Sequence, residues 1–324
     1  MRRLLPLLLL FGLLPACGWA ATVTDATGRT VTLPDAPTRV LPAGPPAAAL
    51  LAVIAPDLMI GFPNPVSLEA RALLAPAAND LPGVPRVTGR TDVTEALAAL
   101  HPDLVLDYGD VTPRYTALIE AAQQHLGVPA ILLDGKLAAT PAALRLTGRI
   151  LHREARAEML ARLAEALLAL PADATPRTVV YARGADGLNV AAPGTESTAV
   201  LERLGWRVLA PPGEGWFRAT DLAHITALDP DMLIFSDPAM RAVLAKPGPW
   251  GALRAVRQGH AYVAPSLPFG WVEEPPSVNR LLGLAWLHGG DPSVVGGMLN
   301  ALLYDRVLPA DALASAVAGT PALH

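Results

Sequence analysis

A single cysteine, Cys17, occurs in 324 residues. A disulfide within the chain needs two thiols and a thiolate zinc site needs several, so both are excluded. Charge is scarce as well: Asp, Glu, Lys and Arg make up 17 % of the chain, and the formal net charge is −4. No stretch is strongly basic, which removes the Lys/Arg face that a nucleic-acid binder uses to displace counterions. The seven histidines form no close pair and no His-rich loop. A transition-metal site built wholly from protein ligands is therefore not expected, because it needs several side chains converging at about 2 Å. No G-x-S-x-G elbow, complete P-loop or G-x-G-x-x-G after a strand is present, so the common signatures of hydrolases and nucleotide-binding enzymes are missing. Past residue 20, no apolar run is long enough to cross a bilayer core of about 30 Å.

Apolar residues, by contrast, reach 52 %, enough for a full core, and the length suits two domains. Arg2 and Arg3 precede an apolar run from Leu4 to Leu14, followed by small residues, which is the order of a secretory signal over 1–20. Two endings fit. Gly18-Trp19-Ala20 suits release before Ala21, whereas Leu14-Pro15-Ala16-Cys17 looks like a lipobox that would leave a lipid-anchored Cys17. Either ending places the mature chain outside the cytoplasmic membrane.

Val23 and Val31 flank a turn at Ala26-Thr27-Gly28-Arg29 and predict a hairpin. Short apolar runs then alternate with helical stretches, the pattern of a parallel α/β sheet. Strands are expected at Arg39–Leu41, Leu58–Ile60, Leu104–Asp107 and Ala130–Leu133, then at Thr178–Tyr181, Arg207–Leu209, Met232–Phe235 and His260–Val263. Between the two sets, Thr140 to Leu170 carries apolar residues at helical spacing and ends at Pro171. At 1.5 Å per residue this predicts one rod of about 45 Å. The expected organisation is an N-terminal α/β lobe over 21–139, an interlobe helix over 140–170 and a C-terminal α/β lobe over 171–324.

The two halves also echo each other. ALAALHPDLVLDYGD, from Ala96 to Asp110, parallels HITALDPDMLIFSDP, from His224 to Pro238. Each reads as a short helix, a Pro-Asp turn and a buried strand. Two similar parallel-sheet lobes joined by one long rigid helix make a bilobed protein with a ligand cleft between the lobes.

With that layout the chain resembles the periplasmic substrate-binding proteins of ABC importers, in the class whose lobes are joined by a long helix. The matching stretches are TVTDATGRTVTLPDAPTRV, EALAALHPDLVL, the helical segment, YARGADGLNVAAPGT and PFGWVEEPPSVNRLLGLAWL. The resemblance implies a monomeric binding protein, not an enzyme, that carries a ferric siderophore, haem, cobalamin or related solute to a permease and its ATPase. Within the family the last stretch is similar to a subgroup linked to iron complexes, with relatives for nickel, cobalt or molybdate. The metal would then be part of the solute, and no cofactor is implied. A chelatase-like α/β metal-handling enzyme shares the bilobed plan and is the alternative of another class. The resemblance also implies a permease-docking glutamate on each lobe, seven residues before the Pro of the Pro-Asp turn. Glu95 matches it; in the second lobe that position is Ala223, and Asp221 lies two residues earlier.

Ligands of open parallel sheets sit beyond the carboxyl ends of the strands. That rule selects Arg90, Tyr108, Tyr181, Arg183, Trp216, Phe217, Phe269, Trp271 and Arg280, with Phe62, Asn64, Glu273 and Glu274 nearby. Tyr, Trp and Phe offer broad apolar walls for a chelated organic ligand. Arginines offer charge for carboxylates, catecholates or an oxyanion. Each of these residues also has a plain structural role open to it, such as packing between loops or a local ion pair.

Overall fold

The structure, a computed structural model, describes residues 21–87 and 91–321. Residues 1–20, where a signal segment with Cys17 is expected, and Arg90 lie outside the described residues.

The first lobe opens with an antiparallel hairpin, β1 (Thr22–Thr24) and β2 (Thr30–Thr32), in which Val23 faces Val31. Its turn is held by Asp25, whose carboxylate accepts from the Thr27 and Arg29 backbone N–H groups and from the Arg29 guanidinium. Burial pushes the Asp25 carboxyl up, but the bonds from Thr27 and Arg29 outweigh it and hold the group below its ordinary range. Arg29 also donates to the Ala130 carbonyl, at 2.9 Å, which docks the hairpin on the sheet. That sheet is parallel, in the order β3 (Val40–Pro42), β4 (Leu104–Gly109), β5 (Ala130–Asp134). The strand expected at Leu58–Ile60 shrinks to one bridge between Met59 and Val40.

The second lobe contains β6 (Thr178–Arg183), β7 (Asn189–Ala191), β8 (Arg207–Val208), β9 (Phe217–Ala219), β10 (Met232–Phe235) and β11 (Ala261–Val263). They run in the order β11-β10-β6-β7-β9, with β8 beside the start of β6. β6, β8, β10 and β11 are parallel; β7 and β9 are antiparallel additions.

Side chains alternate across both sheets, as strand geometry requires. In β4, Leu104, Leu106 and Tyr108 join one core, while Val105 packs outward with Leu97 and Ile119. In β6, Val179 and Tyr181 join that same core, while Val180 and Ala182 pack with Leu233 and Trp250 on the other side. One hydrophobic core thus runs through both lobes, through Leu160, Ala161, Ala164, Leu281 and Leu284.

The internal repeat has a physical counterpart. In each lobe the Asp of the Pro-Asp turn grips a threonine at the start of the neighbouring strand. Asp103 accepts from Thr38 N and Oγ1 at 2.7 and 2.8 Å; Asp231 accepts from Thr178 N and Oγ1 at 2.9 and 2.7 Å. Those bonds, with help from Arg254, hold the Asp231 carboxyl at about 2. Before each Pro, His101 and Asp229 take the same left-handed turn, at φ 48° and 39°.

The single rod expected over 140–170 is corrected. Two helices, Thr140–Ile150 and Glu154–Leu168, replace it, and they fold back on each other. The turn is made by Leu151–Arg153, with His152 at φ 53°. Arg145 bonds both Glu158 and Glu165, a reach that a straight helix forbids. Gly148 explains the closeness: a Cβ there would sit 2.3 Å from that of Ala157. The lobes are joined by this helical hairpin together with the C-terminal segment. Ser277 donates to the Pro46 carbonyl, Asn300 to that of Leu73, and Arg156 links the Val53 and Leu303 carbonyls. A shared core spans the joint, and parting the lobes would expose its apolar surface. Among the described residues no helix is long and apolar enough to cross a membrane.

Candidate ligand cleft

Between the lobes, at the carboxyl ends of the strands, lies a cavity of about 1180 Å³. The first lobe supplies the turn after β3, the Phe62–Val66 loop and Asp107–Asp110 from the end of β4. The second supplies Arg183, Glu196, Trp216, and the loops 266–269 and 274–276. Seven prolines line it: Pro45, Pro46, Pro63, Pro65, Pro268, Pro275 and Pro276. Fixed φ angles leave such loops little freedom, so the rim is held close to one shape.

Of the residues selected from the sequence, Tyr108, Arg183, Trp216 and Phe269 line this cavity, as do Phe62, Asn64 and Glu274. Trp216 is 42 % exposed, a large apolar ring standing free in the wall. Phe269 is braced from behind by Tyr304, at 6.4 Å between ring centres. Tyr108 is buried at the base, its hydroxyl 3.2 Å from Thr140 Oγ1. Arg183 carries less free charge than the sequence implies. Its Nε donates to Glu273 Oε1 at 2.5 Å and lies 3.0 Å from Glu274 Oε1, and the guanidinium stacks 3.8 Å above the Phe217 ring. Burial disfavours the cation, but Glu273 outweighs it and keeps Arg183 firmly charged.

Four selected residues do not face the cavity. Tyr181 is fully buried in the shared core. Phe217 lies beneath Arg183 as its platform. Trp271 is 2 % exposed, and its Nε1 donates backward to the Leu267 carbonyl at 3.1 Å. Arg280 is fully buried behind the floor. It donates to Glu196 Oε2 at 2.6 Å, to the Gly135 carbonyl at 2.7 Å and to the Ser277 carbonyl at 3.0 Å. Glu196 in turn accepts from Leu137 N. Arg280 is thus a clamp between lobes, because Gly135 and Leu137 belong to one and Glu196 to the other. Buried Glu273 backs Arg183 and accepts from Ser197 Oγ.

On the outer surface, Glu95 is exposed on the helix Thr91–Ala98. Asp221 caps the helix Leu222–Leu228: it accepts from His224 N at 2.9 Å and pairs with His224 Nδ1 at 2.8 Å, bonds that lower its carboxyl.

Sequence reasoning missed several polar residues of the cleft. Arg86 and Arg114 line it, Arg86 bonded to Asn64 Oδ1 at 2.8 Å. Asp107 and Asp110 line it too. Burial pushes Asp107 up to about 6, against the pull of the Tyr108 N–H. Its signal was legible: a carboxylate that closes an apolar strand at the ligand end. Among the described residues, no three His, Cys, Asp or Glu side chains converge as metal ligands.

Known proteins place this architecture. A family model described as periplasmic binding protein matches residues 44–267. No curated protein sequence matches. Among solved structures, an ABC transporter solute-binding protein from Sulfurospirillum deleyianum is similar, with 22 % identity, a TM-score of 0.81, and coverage of 91 % of this chain and 98 % of that one. The molybdate periplasmic binding protein MolA of a Haemophilus influenzae ABC transporter, bound to molybdate, has 17 % identity, a TM-score of 0.67, and coverage of 89 % and 99 %. An ABC-type Fe3+-hydroxamate transport system protein from Saccharomonospora viridis has 21 % identity, a TM-score of 0.57, and coverage of 83 % and 98 %.

Proposed function

This chain belongs to the periplasmic binding protein family, and from that premise we propose that it is the extracytoplasmic solute-binding component of an ABC importer, with an iron complex of the ferric siderophore type, or a related metal chelate, as its cargo. The family is one of transporter solute-binding proteins, not of enzymes, which sets the chelatase alternative aside.

The cleft's size and lining carry the choice of cargo. A volume of about 1180 Å³ exceeds the roughly 300–1,000 Å³ of most small-molecule sites. A bare oxyanion such as molybdate would fill a small part of it and leave the rest to water. Trp216, Phe269 and the prolines instead present broad apolar surface, which suits the organic shell of a chelate. Charge is mixed: Arg86 and Arg114 line the cleft along with Asp110 and Glu274, and Arg183 is already paired. A chelate that brings its own metal ligands asks the protein for shape and a few hydrogen bonds, not for coordination. The protein is expected to bind a ferric trihydroxamate at one site, with quenching of tryptophan fluorescence. Trp216→Ala should weaken that binding about tenfold. Tight binding of molybdate with no response to the chelate would overturn the choice of cargo.

Docking on the permease would use exposed Glu95 on one lobe and Asp221 on the other. Glu95→Ala should leave chelate titrations unchanged while slowing uptake into proteoliposomes carrying permease and ATPase. Normal uptake would restrict Glu95 to its local place on its helix.

A further inference from the structure

At the floor of the cleft one polar group has no protein partner that accounts for it. Asp107 ends the apolar run of β4, is 6 % exposed and lines the cavity. Among the described residues its one hydrogen bond is from the N–H of Tyr108, its own neighbour, to Oδ1 at 2.9 Å. Among the described residues Oδ2 accepts from nothing, and no cation pairs with the group.

The cations within the cavity are placed elsewhere. Arg86 is bonded to Asn64, and Arg183 is held by Glu273 and Glu274. Arg114 lines the wall with Tyr115, from the helix Pro113–Leu126 that packs against β4. Behind the floor, Arg280 is committed to Glu196 and Gly135. The other titratable groups of this region are acids, Asp110 and Glu196 in the cavity and Asp134 at the end of β5, with Lys136 just beyond, and the rest act on Asp110. A carboxyl so placed is poorly solvated as an anion and, among the described residues, has no counter-ion. It is best satisfied as a neutral acid that gives its proton to an acceptor arriving in the cavity.

We propose that Asp107 is a solute-contacting residue at the cleft floor that donates a hydrogen bond from its carboxyl O–H to an acceptor oxygen of the bound chelate. Carbonyl or N–O oxygens of a hydroxamate, or catecholate oxygens, are acceptors of the required kind. No bond is made or broken, and the proton remains shared along the hydrogen bond. The sign of the pH dependence follows. The bound state keeps the proton on Asp107, so affinity falls as the medium rises past the point where the free protein releases it, at about 6. Burial also raises Asp110 and Glu274 above their ordinary values. Wild-type pH dependence alone therefore does not identify the acid, and substitution at Asp107 must.

This inference rests on the cleft being the solute site, and the experiment separates the two. Calorimetric titration with a ferric trihydroxamate at about pH 5 and about pH 7.5 compares the wild type with Asp107→Asn and Asp107→Ala, after circular dichroism shows each variant folded. The wild type should bind on the order of tenfold more weakly at the higher pH. Asp107→Asn keeps a neutral donor, so its affinity should be nearly equal at both pH values and exceed that of the wild type at the higher one. Asp107→Ala should be weak at both. A wild-type pH slope retained in Asp107→Asn, or wild-type affinity in Asp107→Ala, overturns the role of Asp107. A wild type that binds no chelate at either pH overturns the cleft assignment, and this inference with it.

Discussion

Trp271→Ala is expected to lower the unfolding free energy by about 3–5 kcal/mol, the cost of removing a large aromatic ring from a packed core. The ring is 2 % exposed and part of the core shared by both lobes. Two glycines record how tightly the residue is enclosed, one at its backbone and one at its ring. A Cβ at Gly283 would lie 2.2 Å from the Trp271 carbonyl oxygen, and one at Gly296 would lie 3.3 Å from the ring. Few neighbours can relax into the hole, which places the loss in the upper part of the range. A second effect follows through the backbone: the indole N–H holds the Leu267 carbonyl, and Leu267 lines the cleft. Chelate binding should therefore weaken only as far as that loop loosens. Denaturant unfolding monitored by circular dichroism checks the first statement. A loss below about 1 kcal/mol with abolished binding would instead mark Trp271 as a cleft wall.

Arg280→Met should cost a similar amount, about 3–5 kcal/mol, for a different reason. It strips a buried cation from a network and leaves Glu196 as an uncompensated carboxylate. The carbonyls of Gly135 and Ser277 lose their donor at the same time. Because the network spans the lobes, the coupling between them should suffer as well. A double-mutant cycle with Glu196→Gln, read by urea unfolding, should give a coupling energy of at least about 1 kcal/mol. Additive losses would show that Arg280 packs without clamping.

Much of the scaffold is legible in the sequence because it rests on local rules. β4 is announced by LVLDYG, the hairpin by Val23 and Val31 around Gly28, and the pseudo-repeat by paired Pro-Asp turns whose Asp103 and Asp231 then do the same work. The helical hairpin is hidden for a stated reason. Leu151-His152-Arg153 contains neither Gly nor Pro, and apolar spacing continues through it, so nothing local breaks the helix. What breaks it is tertiary: Gly148 against Ala157, and Arg145 against Glu158 and Glu165. β7 and β9 escape for a related reason, being three residues each and carrying Asn189 and Arg218 where an apolar run is sought.

The cleft is half legible. Strand ends tell which loops surround a ligand, but not which way a side chain on those loops turns. Trp216 and Phe269 turn in, whereas Trp271 and Arg280 turn back into the core. The prolines around the rim are visible in the composition, yet only the fold gathers seven of them on one cavity. Asp107 sat in plain view inside β4, directly after its apolar run Leu104–Leu106, overlooked because it reads as strand, not rim.

The space between the two lobes, fused by one core, is proposed to receive a metal chelate. Iron anomalous scattering from crystals grown with a ferric trihydroxamate tests it most directly. The peak should lie within the cleft between Trp216 and Phe269, with the shared core around Leu160 and Leu281 packed as it is here. Iron bound elsewhere on the surface, with that space holding only solvent, would contradict it.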